Sequence, residues 1–476
     1  MALKDKRGVP VSTNSPESLD GLERATDLLL GYFADPLAAI DDALAEDPDF
    51  VMGHCFRAGL FAISTEKAAE PELRRSVEAA EALAHRAHRA NDRERGHIAA
   101  ARAWLDGDFD RSVDLYGRIL IEYPRDLFAL QIAHVGDFFL GRSAMLRDRV
   151  ARVLPEWDED IPGFGYVLGM HAFGLEETNL YARAEETGRR AVALMPKDPW
   201  AIHAVAHVME MQGRLTEGIE WLTSRTDDWA PENLFAYHNW WHLALYHLEL
   251  GETDRVLDLY DSSIRPKPST VALEMVDAAA LLWRLHLRRI DVGKRWKELA
   301  NSYEPMAEDA YYAFNDVHAM MAFVADGRDT AAKRLLAALE RRVAGGGTNA
   351  AMTRDVGLPL CHALAAFGTG DYDTAVGLLL PVRTIAHRFG GSHAQRDVIK
   401  QTLIEAALRA GQGRLARALM AERTDLKPMS PYNWLATARA LAQIGDSESA
   451  VRARARARAA TLQLGLQGSR FSARAV

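Results

Sequence analysis

The chain has 476 residues, 48% of them apolar and 26% charged, which is ordinary for a globular protein with a large core. Its formal net charge of −9 gives no electrostatic reason for a nucleic-acid partner, so none is expected. Two cysteines are too few for a disulfide framework, and no apolar run reaches the length of a membrane-spanning helix. We therefore expect a soluble cytoplasmic chain without a membrane partner.

Helix pairs recur along the chain after a polar lead-in. Pro-Asp or Pro-x-Asp caps open helices that end at a glycine, and a second, amphipathic helix follows each of them. Gly107 and Gly141 are 34 residues apart, the period of a tetratricopeptide repeat, whereas Gly370 and Gly413 are 43 residues apart. The predicted fold class is all-α, an α-α superhelix (solenoid) of irregular tetratricopeptide-like helix pairs. The predicted divisions are a polar N-terminal lead-in at 1–20, a single solenoid at 21–445, and a basic Ala/Arg-rich C-terminal helix or tail at 446–476.

The densest polar chemistry lies on two predicted helices in the middle of the chain. On the first, His203, His207 and Glu210 follow at i, i+4 and i+7, and on the second His238 and His242 repeat the i, i+4 spacing. Such spacing places each set on one face of its helix. Because stacked repeats bring successive first helices about 10 Å apart, we predict that the five side chains face one another across a candidate catalytic pocket.

Three interpretations of these residues stay open. The four histidines can bind one ion, and with Glu210 or Asp316 they would suit zinc, iron or manganese, so a divalent transition metal is a candidate cofactor. The same side chains can instead form a metal-free pocket in which a buried imidazole with a shifted pKa transfers protons. They can also be ordinary hydrogen-bonded core histidines, since the sequence lacks the HExxH motif.

Further polar and aromatic residues lie along the chain, most of them on other predicted first helices, which a curved solenoid would direct toward a shared cavity. Arg354 with Asp355, and Arg396 with Asp397, can hold an anionic group, because guanidinium groups match carboxylate and phosphate. The alternative is that each Arg–Asp pair ties two repeats together. The further ligand-binding candidates are His54, His134, Asp137, His171, Asn179, Trp241, Asp316, His318, Arg354, Asp355, His393, Arg396 and Asp397.

Seven distinctive segments run in order over most of the chain. They are DPDFVMGH at 47–54, FGLEETNLYARAE at 173–185, HAVAHVMEM at 203–211, HNWWHLAL at 238–245, FNDVHAMMA at 314–322, RDVGLPLC at 354–361 and GGSHAQRDV at 390–398. On these segments the chain resembles the tetratricopeptide repeat protein 38 family, from about residue 10 to residue 435. The resemblance implies an all-helical solenoid of irregular repeats, and it implies no particular reaction.

Two functional hypotheses follow. In the leading one, a concave face lined by His, Trp and Tyr binds a small molecule or a peptide segment of a partner. In the alternative, the chain is an enzyme, metal-dependent, acid–base or hydrolytic, whose histidine and carboxylate side chains act on a small organic substrate. The predicted first helices carry His, Trp, Tyr and Phe rather than Lys, Arg and Asn, which favours an enclosed small-molecule pocket over an open peptide groove.

Overall fold

The structure, a computed structural model, describes residues 3–87 and 90–472, and most of them are helical. Two short strands, β1 (Leu3–Lys4) and β2 (Pro10–Val11), pair antiparallel before the first helix. The helices of the N-terminal half are α1 (Pro16–Leu30), α2 (Pro36–Glu46), α3 (Val51–Ala62), α4 (Glu70–Ala87), α5 (Asp92–Leu105), α6 (Phe109–Glu122), α7 (Leu127–Phe139), α8 (Ser143–Val153), α9 (Phe164–Glu176), α10 (Tyr181–Leu194), α11 (Pro199–Met211), α12 (Leu215–Thr223) and α13 (Thr226–Trp229).

The second half continues the same pattern of paired helices, and the all-α superhelix predicted from the sequence is confirmed. Its helices are α14 (Ala236–Leu250), α15 (Thr253–Leu259), α16 (Ala272–Leu287), α17 (Arg295–Tyr303), α18 (Ala313–Ala325), α19 (Asp329–Val343), α20 (Thr348–Met352), α21 (Leu358–Gly368), α22 (Tyr372–Val382), α23 (His393–Arg409), α24 (Gly413–Leu426), α25 (Pro431–Gln443) and α26 (Ser447–Ser472). Short 3₁₀ or π turns lie at Lys67–Ala69, Leu154–Glu156, Tyr260–Ile264, Glu304–Met306, Thr353–Gly357 and Ala386–Phe389.

Aspartate caps fix the starts of the helices that carry the central residues. The carboxylate of Asp198 accepts the N–H groups of Trp200 at 2.9 Å and of Ala201 at 3.2 Å, where α11 begins. Asp126 accepts the N–H of Ala129 at 3.0 Å in the same way at the start of α7. A side-chain oxygen in this position satisfies a backbone donor that the helix itself leaves unpaired. The Pro-Asp pattern in the sequence therefore marks real helix starts.

The first helices of successive pairs stack into an inner layer, in the order α9, α11, α14, α16, α18 and α21. The later helix α23 packs back onto α16 and α11, so it lies across the concave side of this layer. Trp283 Nε1 of α16 donates to Thr402 Oγ1 at 3.0 Å, and Arg284 donates to the carbonyl of Ala394 at 2.6 Å. The concave side is consequently filled by the chain's own helix.

Hydrogen bonds between distant repeats close the interior further. Leu234 N–H donates to the carbonyl of Tyr32 at 2.7 Å, and the side chain of Asn233 donates to the carbonyl of Gly31 at 2.8 Å. Asn315 likewise donates to the carbonyl of Thr65 at 3.2 Å. These bonds join segments about 200 to 250 residues apart in sequence. The superhelix is therefore closed on itself rather than an open groove.

Both ends of the chain contain regular secondary structure. The polar lead-in predicted at 1–20 contains the β1–β2 hairpin, and α1 begins within it at Pro16. Alternating Ala residues of α26 are buried, including Ala450, Ala453 and Ala457. The division at 20 and 445 stays a prediction. No helix within the described ranges is long and apolar enough to cross a membrane.

Helices α8 and α9 approach closely at Gly174, where a methyl group would overlap the backbone of Leu146 and Arg147. We expect Gly174→Ala to lower the free energy of unfolding by about 1–3 kcal/mol, because a packed helix must shift to make room. Gly377 of α22 has open space beside it, so Gly377→Ala is a matched control that should be neutral or stabilising by up to about 1 kcal/mol. Chemical denaturation followed by circular dichroism measures both, and equal midpoints would contradict the expectation.

Candidate functional site

Four histidines from two neighbouring helices meet inside the closed superhelix. Helix α11 contributes His203 and His207, and α14 contributes His238 and His242; we call these four the histidine cluster. Four ring nitrogens, one from each histidine, lie within 4.8 Å of one another. The ring centroids of His203 and His207 are 4.3 Å apart, and those of His207 and His242 are 4.4 Å apart. The i, i+4 spacing thus brings all four imidazoles together.

Three carboxylates surround the cluster, each on a different helix. Asp277 Oδ2 of α16 is 2.6 Å from His238 Nδ1, and Glu210 Oε2 of α11 is 3.0 Å from His242 Nδ1. Glu176 Oε2, at the end of α9, lies 3.4 Å from Nδ1 of the α11 histidine at 207. A carboxylate accepts the proton of Nδ1–H, so the tautomer that it favours in His238 and in His242 carries the lone pair on Nε2.

A chain of hydrogen bonds runs from Asp277 through His238 to His203. His238 Nε2 lies 3.0 Å from His203 Nε2. With a single proton on His238, held at Nδ1 by Asp277, its Nε2 accepts and the Nε2–H of His203 is the donor. This assignment leaves His203 Nδ1 as a buried lone pair. The geometry can therefore move a proton along the chain or hold an electrophile at its end.

Burial controls the ionisation of the cluster. It lowers the pKa of His203 and of His242 well below 6.5, and the neighbouring imidazoles add to the effect. Burial likewise lowers the pKa of His207 to about 4. Glu176 shows the opposite shift, because burial and then the charge of Glu177 raise its pKa well above 4.5. Near pH 7 these three imidazoles are neutral, which is the form that accepts a proton or binds a metal.

Several buried polar atoms of the site have no hydrogen-bond partner within the described ranges. They include both ring nitrogens of His207, Nε2 of His242, Nδ1 of His203 and both carboxylate oxygens of Glu176. Leaving such an atom unsatisfied costs about 1–3 kcal/mol. A packing surface would rarely carry this many unpaired groups, so the cluster has the capacity to hold a further ligand.

An apolar cavity of about 340 Å³ opens beside the cluster, and we call it the aromatic cavity. Its mouth includes Leu234 and Val271, which are 55% and 46% exposed. Its floor includes His203, His238 and Asp277. Ligand sites usually combine such an apolar lining with a few placed polar groups. The lining residues are Leu29, Tyr32, Ile63, Gln131, Val135, Phe138, Phe139, Trp200, His203, Leu234, Phe235, Tyr237, His238, Val271, Leu273, Glu274, Asp277, Ser392 and Gln395.

A smaller compartment of about 80 Å³ lies on the other side of the cluster, at Glu210. Its lining is ionic: Lys427 Nζ is 3.7 Å from Glu210 Oε1, and Arg288 is 3.7 Å from Glu249. Burial lowers the pKa of Arg284 in this compartment to about 10. The histidine cluster therefore separates an apolar cavity from this ionic compartment.

Asp316 and His318 do not join the cluster; of the two carboxylates expected as alternatives, Glu210 contacts a cluster histidine and Asp316 does not. Asp316 and His318 lie on α18, one helix beyond α16, and Asp277 of α16 occupies the place next to α14 instead. Burial raises the pKa of Asp316 to about 8 and lowers that of His318 to about 4. His318 Nδ1 donates to the carbonyl of Phe314 at 2.8 Å, within its own helix.

Other candidates on earlier helices lie in different surroundings. His134 is buried between aromatic rings, with centroids 6.1 Å from Phe173 and 5.7 Å from Trp200. Asp137 is paired with the guanidinium of Arg149 at 2.7 Å, so it holds α7 against α8. Neither residue reaches the cluster.

Three more candidates lie away from the aromatic cavity. His54 Nε2 bonds the carbonyl of Pro48 at 3.0 Å, next to the start of its own helix. His171 is 9% exposed on α9, and burial lowers its pKa to about 4. Asn179 is an exposed turn residue with φ of 62°, and its side chain accepts a hydrogen bond from Tyr181 at 2.8 Å. The structure does not bring these residues together.

Trp241 and the first Arg–Asp pair differ in burial. Trp241 is fully buried and stacks on His238, with ring centroids 5.4 Å apart, so it supports the cluster from behind. Arg354 is exposed and bonds its neighbour Asp355 at 3.1 Å, while Arg388 lies 3.6 Å from the same carboxylate. That pair is a surface contact between repeats.

His393, Arg396 and Asp397 join α23 to other helices. The N–H of His393 donates to Glu177 Oε1 at 2.7 Å, and Arg396 donates to Glu177 Oε2 at 3.3 Å. Although burial opposes its ionisation, His393 and Arg396 hold the pKa of Glu177 below its ordinary value. Asp397 accepts from Arg423 of α24 at 3.0 Å. These contacts favour the interpretation that the Arg–Asp pair ties repeats together.

Sequence reasoning did not identify Asp277 or Glu176 as part of the site. Asp277 was detectable as a lone carboxylate in the apolar run from Met275 to Leu282. The aromatic walls, by contrast, come from four separate places, the turn after α1, α7, α11 and the start of α14, and left no local signal.

No family model matches the chain. Among solved structures it is similar to the human IFIT1 dimer with PPP-AAAA, at 13% identity over 94% of this chain and 95% of that one, with a TM-score of 0.39. The human IFIT1 dimer with m7Gppp-AAAA gives 13% identity, the same coverage and a TM-score of 0.40. The APC/C hetero-tetramer Cut9-Hcn1 gives 12% identity, coverage of 82% and 79%, and 0.34. Likeness at this level carries no inference about a ligand of this chain.

The exclusion of a nucleic-acid partner is nevertheless corrected. IFIT1, which is similar to this chain over most of its length, is solved with PPP-AAAA and with m7Gppp-AAAA, so net charge alone does not exclude a nucleic-acid partner, and none is inferred for this chain. The physical reason is that net charge sums the whole surface, whereas a ligand meets local charge. A cavity of about 540 Å³ beside His393 has four Arg or Lys side chains in its lining and one carboxylate, despite the acidic total.

The pKa of His134 gives a test of the buried environment. Burial lowers it from 6.5 to about 3, so between these values the unfolded chain binds a proton that the folded chain does not. Stability therefore falls by about 1.4 kcal/mol per pH unit as pH drops below 6.5. The variant His134→Phe lacks this imidazole and should not show this loss. We expect its free energy of unfolding, relative to that of the wild type, to rise by about 2 kcal/mol when the pH is lowered from 7.5 to 5. Unfolding free energies at both pH values measure it. The pH 7.5 difference controls for packing, and a pH-independent difference would contradict the prediction.

Proposed function

We propose that this tetratricopeptide-like helical-repeat protein binds a small organic molecule in the aromatic cavity. The observation that carries the proposal is that an apolar space of about 340 Å³ ends on the polar pair His203 and His238. Its size lies in the range of ligand sites, and its polar groups converge at one end. Closure by the Leu234–Tyr32 hydrogen bond favours a small molecule over an extended peptide of a partner.

The walls define the chemistry of the ligand. Tyr32, Trp200 and Phe235 pack against one another, with ring centroids 4.9 to 6.0 Å apart, and they favour an aromatic or aliphatic body. Among the lining residues that the structure describes are two carboxylates, Glu274 and Asp277, and no Arg or Lys. An anionic group would be repelled there, so the polar end of the ligand is neutral or cationic.

Finer sequence-based statements belong to the same proposal. The seven segments support membership of the tetratricopeptide repeat protein 38 family. The buried, unpaired Cys55 and Cys361 support a reduced, cytoplasmic setting. In this proposal the chain divides at 1–20, 21–445 and 446–476, and the middle segment is one ligand-binding solenoid.

A matched ligand series tests the cavity. We expect 4-phenylbutylamine and 4-phenylbutanol to bind with one-to-one stoichiometry and 4-phenylbutyrate to bind at least tenfold more weakly, as isothermal titration calorimetry would measure. Leu273→Trp should abolish binding, because the larger ring fills the aromatic cavity that Leu273 lines. Leu380→Trp, at a 37% exposed position of α22 outside this cavity, is the control and should bind normally. Equal affinity of the two variants would rule out this cavity as the site.

An acid–base enzyme is the second candidate, and the Asp277–His238–His203 chain favours it. Asp277 orients His238 as in other catalytic arrangements where a carboxylate fixes the tautomer of an imidazole. The free end of the chain lies at the floor of the aromatic cavity, where a bound substrate would meet it.

Hydrolysis of a neutral aryl ester, 4-nitrophenyl phenylacetate, tests this candidate. Asp277→Asn keeps the shape of the side chain and removes its charge, so we expect kcat to fall by about 10²–10⁴-fold with KM little changed. Glu274→Gln, which lines the same cavity and makes no described contact with the cluster, should keep the wild-type rate. Equal rates in the two variants would show that the Asp277–His238–His203 chain takes no part in the reaction.

A further inference from the structure

The histidine cluster has the donor atoms of a metal site. Four ring nitrogens, one from each histidine, lie within 4.8 Å of one another, and the Nε2 atoms of His203 and His238 are 3.0 Å apart. A tetrahedral ion at about 2.0–2.1 Å from each nitrogen needs nitrogens about 3.3 Å apart. The required adjustment is therefore within the reach of small side-chain rotations. Unpaired nitrogens of His207 and His242 are among the atoms available.

The surrounding carboxylates match the second layer of such a site. Histidines that bind metals usually donate their other ring N–H to a carboxylate, which fixes the ring and makes it more basic. His238 has Asp277 at 2.6 Å, His242 has Glu210 at 3.0 Å, and the third histidine, 207, has Glu176 at 3.4 Å. In His238 and His242 the carboxylate is hydrogen-bonded to Nδ1, and in His207 the carboxylate faces Nδ1 without a described hydrogen bond, so Nε2 is the atom left for the ion.

Charge balance points the same way. Glu176 is fully buried and neither of its oxygens has a described hydrogen-bond partner, while its neighbour Glu177 is engaged by His393 and Arg396. An ion bound to His207 would supply the positive charge that favours the ionised form of this carboxyl group. A plain hydrogen-bonded network would instead pair its nitrogens with one another, yet His203 and His238 form the single direct ring-to-ring hydrogen bond described within the cluster.

We propose that His207, His238 and His242 bind one divalent transition-metal ion of the zinc type, with His203 as a fourth ligand or as the partner of a ligand at an open position. Imidazole ligands without thiolates suit zinc, copper, iron or nickel. The ion would lie at the floor of the aromatic cavity, which His203 and His238 line. There it would polarise a bound carbonyl or activate a water molecule. This inference deepens the proposed function, although metal binding itself requires no ligand in the cavity.

Zinc titration of the full-length, chelator-stripped chain against a fluorescent zinc indicator tests the site. We expect one equivalent of Zn²⁺ in the wild type. His242→Gln should weaken binding by at least 100-fold, and Glu210→Gln by about 10–100-fold, because it removes only the carboxylate that orients His242. His318→Gln is the matched control, since His318 is equally buried and lies outside the cluster. It should bind as the wild type does.

Cobalt supplies a second measurement that does not depend on the folding of a variant. Co²⁺ added to the stripped wild type should give the visible absorption of a low-symmetry, nitrogen-ligated ion, and Zn²⁺ should displace it. Less than half an equivalent of zinc with no cobalt spectrum, or equal zinc affinity in folded His242→Gln and the wild type, would overturn the metal site. Binding of 4-phenylbutylamine by the metal-free chain is measured separately. Binding of the amine without uptake of zinc would contradict only the proposed metal site. Uptake of zinc without binding of the amine would contradict only the proposed ligand site in the aromatic cavity.

Discussion

The position of α23 across the concave side is the constraint on which the rest of the structure depends. Its contacts with α16 and α11 turn an open superhelical groove into a closed interior. Without that closure the imidazoles of His203 and His242 would face water, and their pKa values would lie closer to 6.5. With it, His203 and His242 are almost fully buried, and electrostatic interactions among them act in a medium of low polarity. One packing contact thus sets the chemistry of the site.

Closure also explains why the site carries its own carboxylates. An imidazole buried alone leaves two polar atoms unsatisfied, as His134 illustrates. In the cluster, Asp277 and Glu210 each satisfy one nitrogen of a histidine and thereby decide which tautomer is present. The remaining nitrogens point at one another rather than at the backbone. The carboxylates therefore do more than neutralise charge, because they direct the lone pairs toward a common centre.

The sequence predicted the features that depend on local periodicity. Glycine-ended helix pairs gave the superhelix, and the i, i+4 spacing of His203 with His207 and of His238 with His242 placed each pair on one face. It did not predict Asp277, because α16 has no histidine on the same face that would mark this carboxylate as part of a site. Nor could it predict the return of α23, since contacts such as Arg284 to Ala394 join residues 110 positions apart and leave no local pattern.

The same arrangement separates two environments that a single cluster contacts. His238 reaches the aromatic cavity at one end, and Glu210, bonded to His242, reaches the ionic compartment that contains Lys427 at the other. An apolar ligand can approach the first end without crossing the second. At the second end Glu210 is buried and lies 3.7 Å from Lys427, so its charge is balanced without a group that would enter the aromatic cavity. The four imidazoles lie between these two compartments. A ligand can therefore reach the site from one side while charged groups balance its charge from the other, which a cluster at the surface of an open groove would not allow.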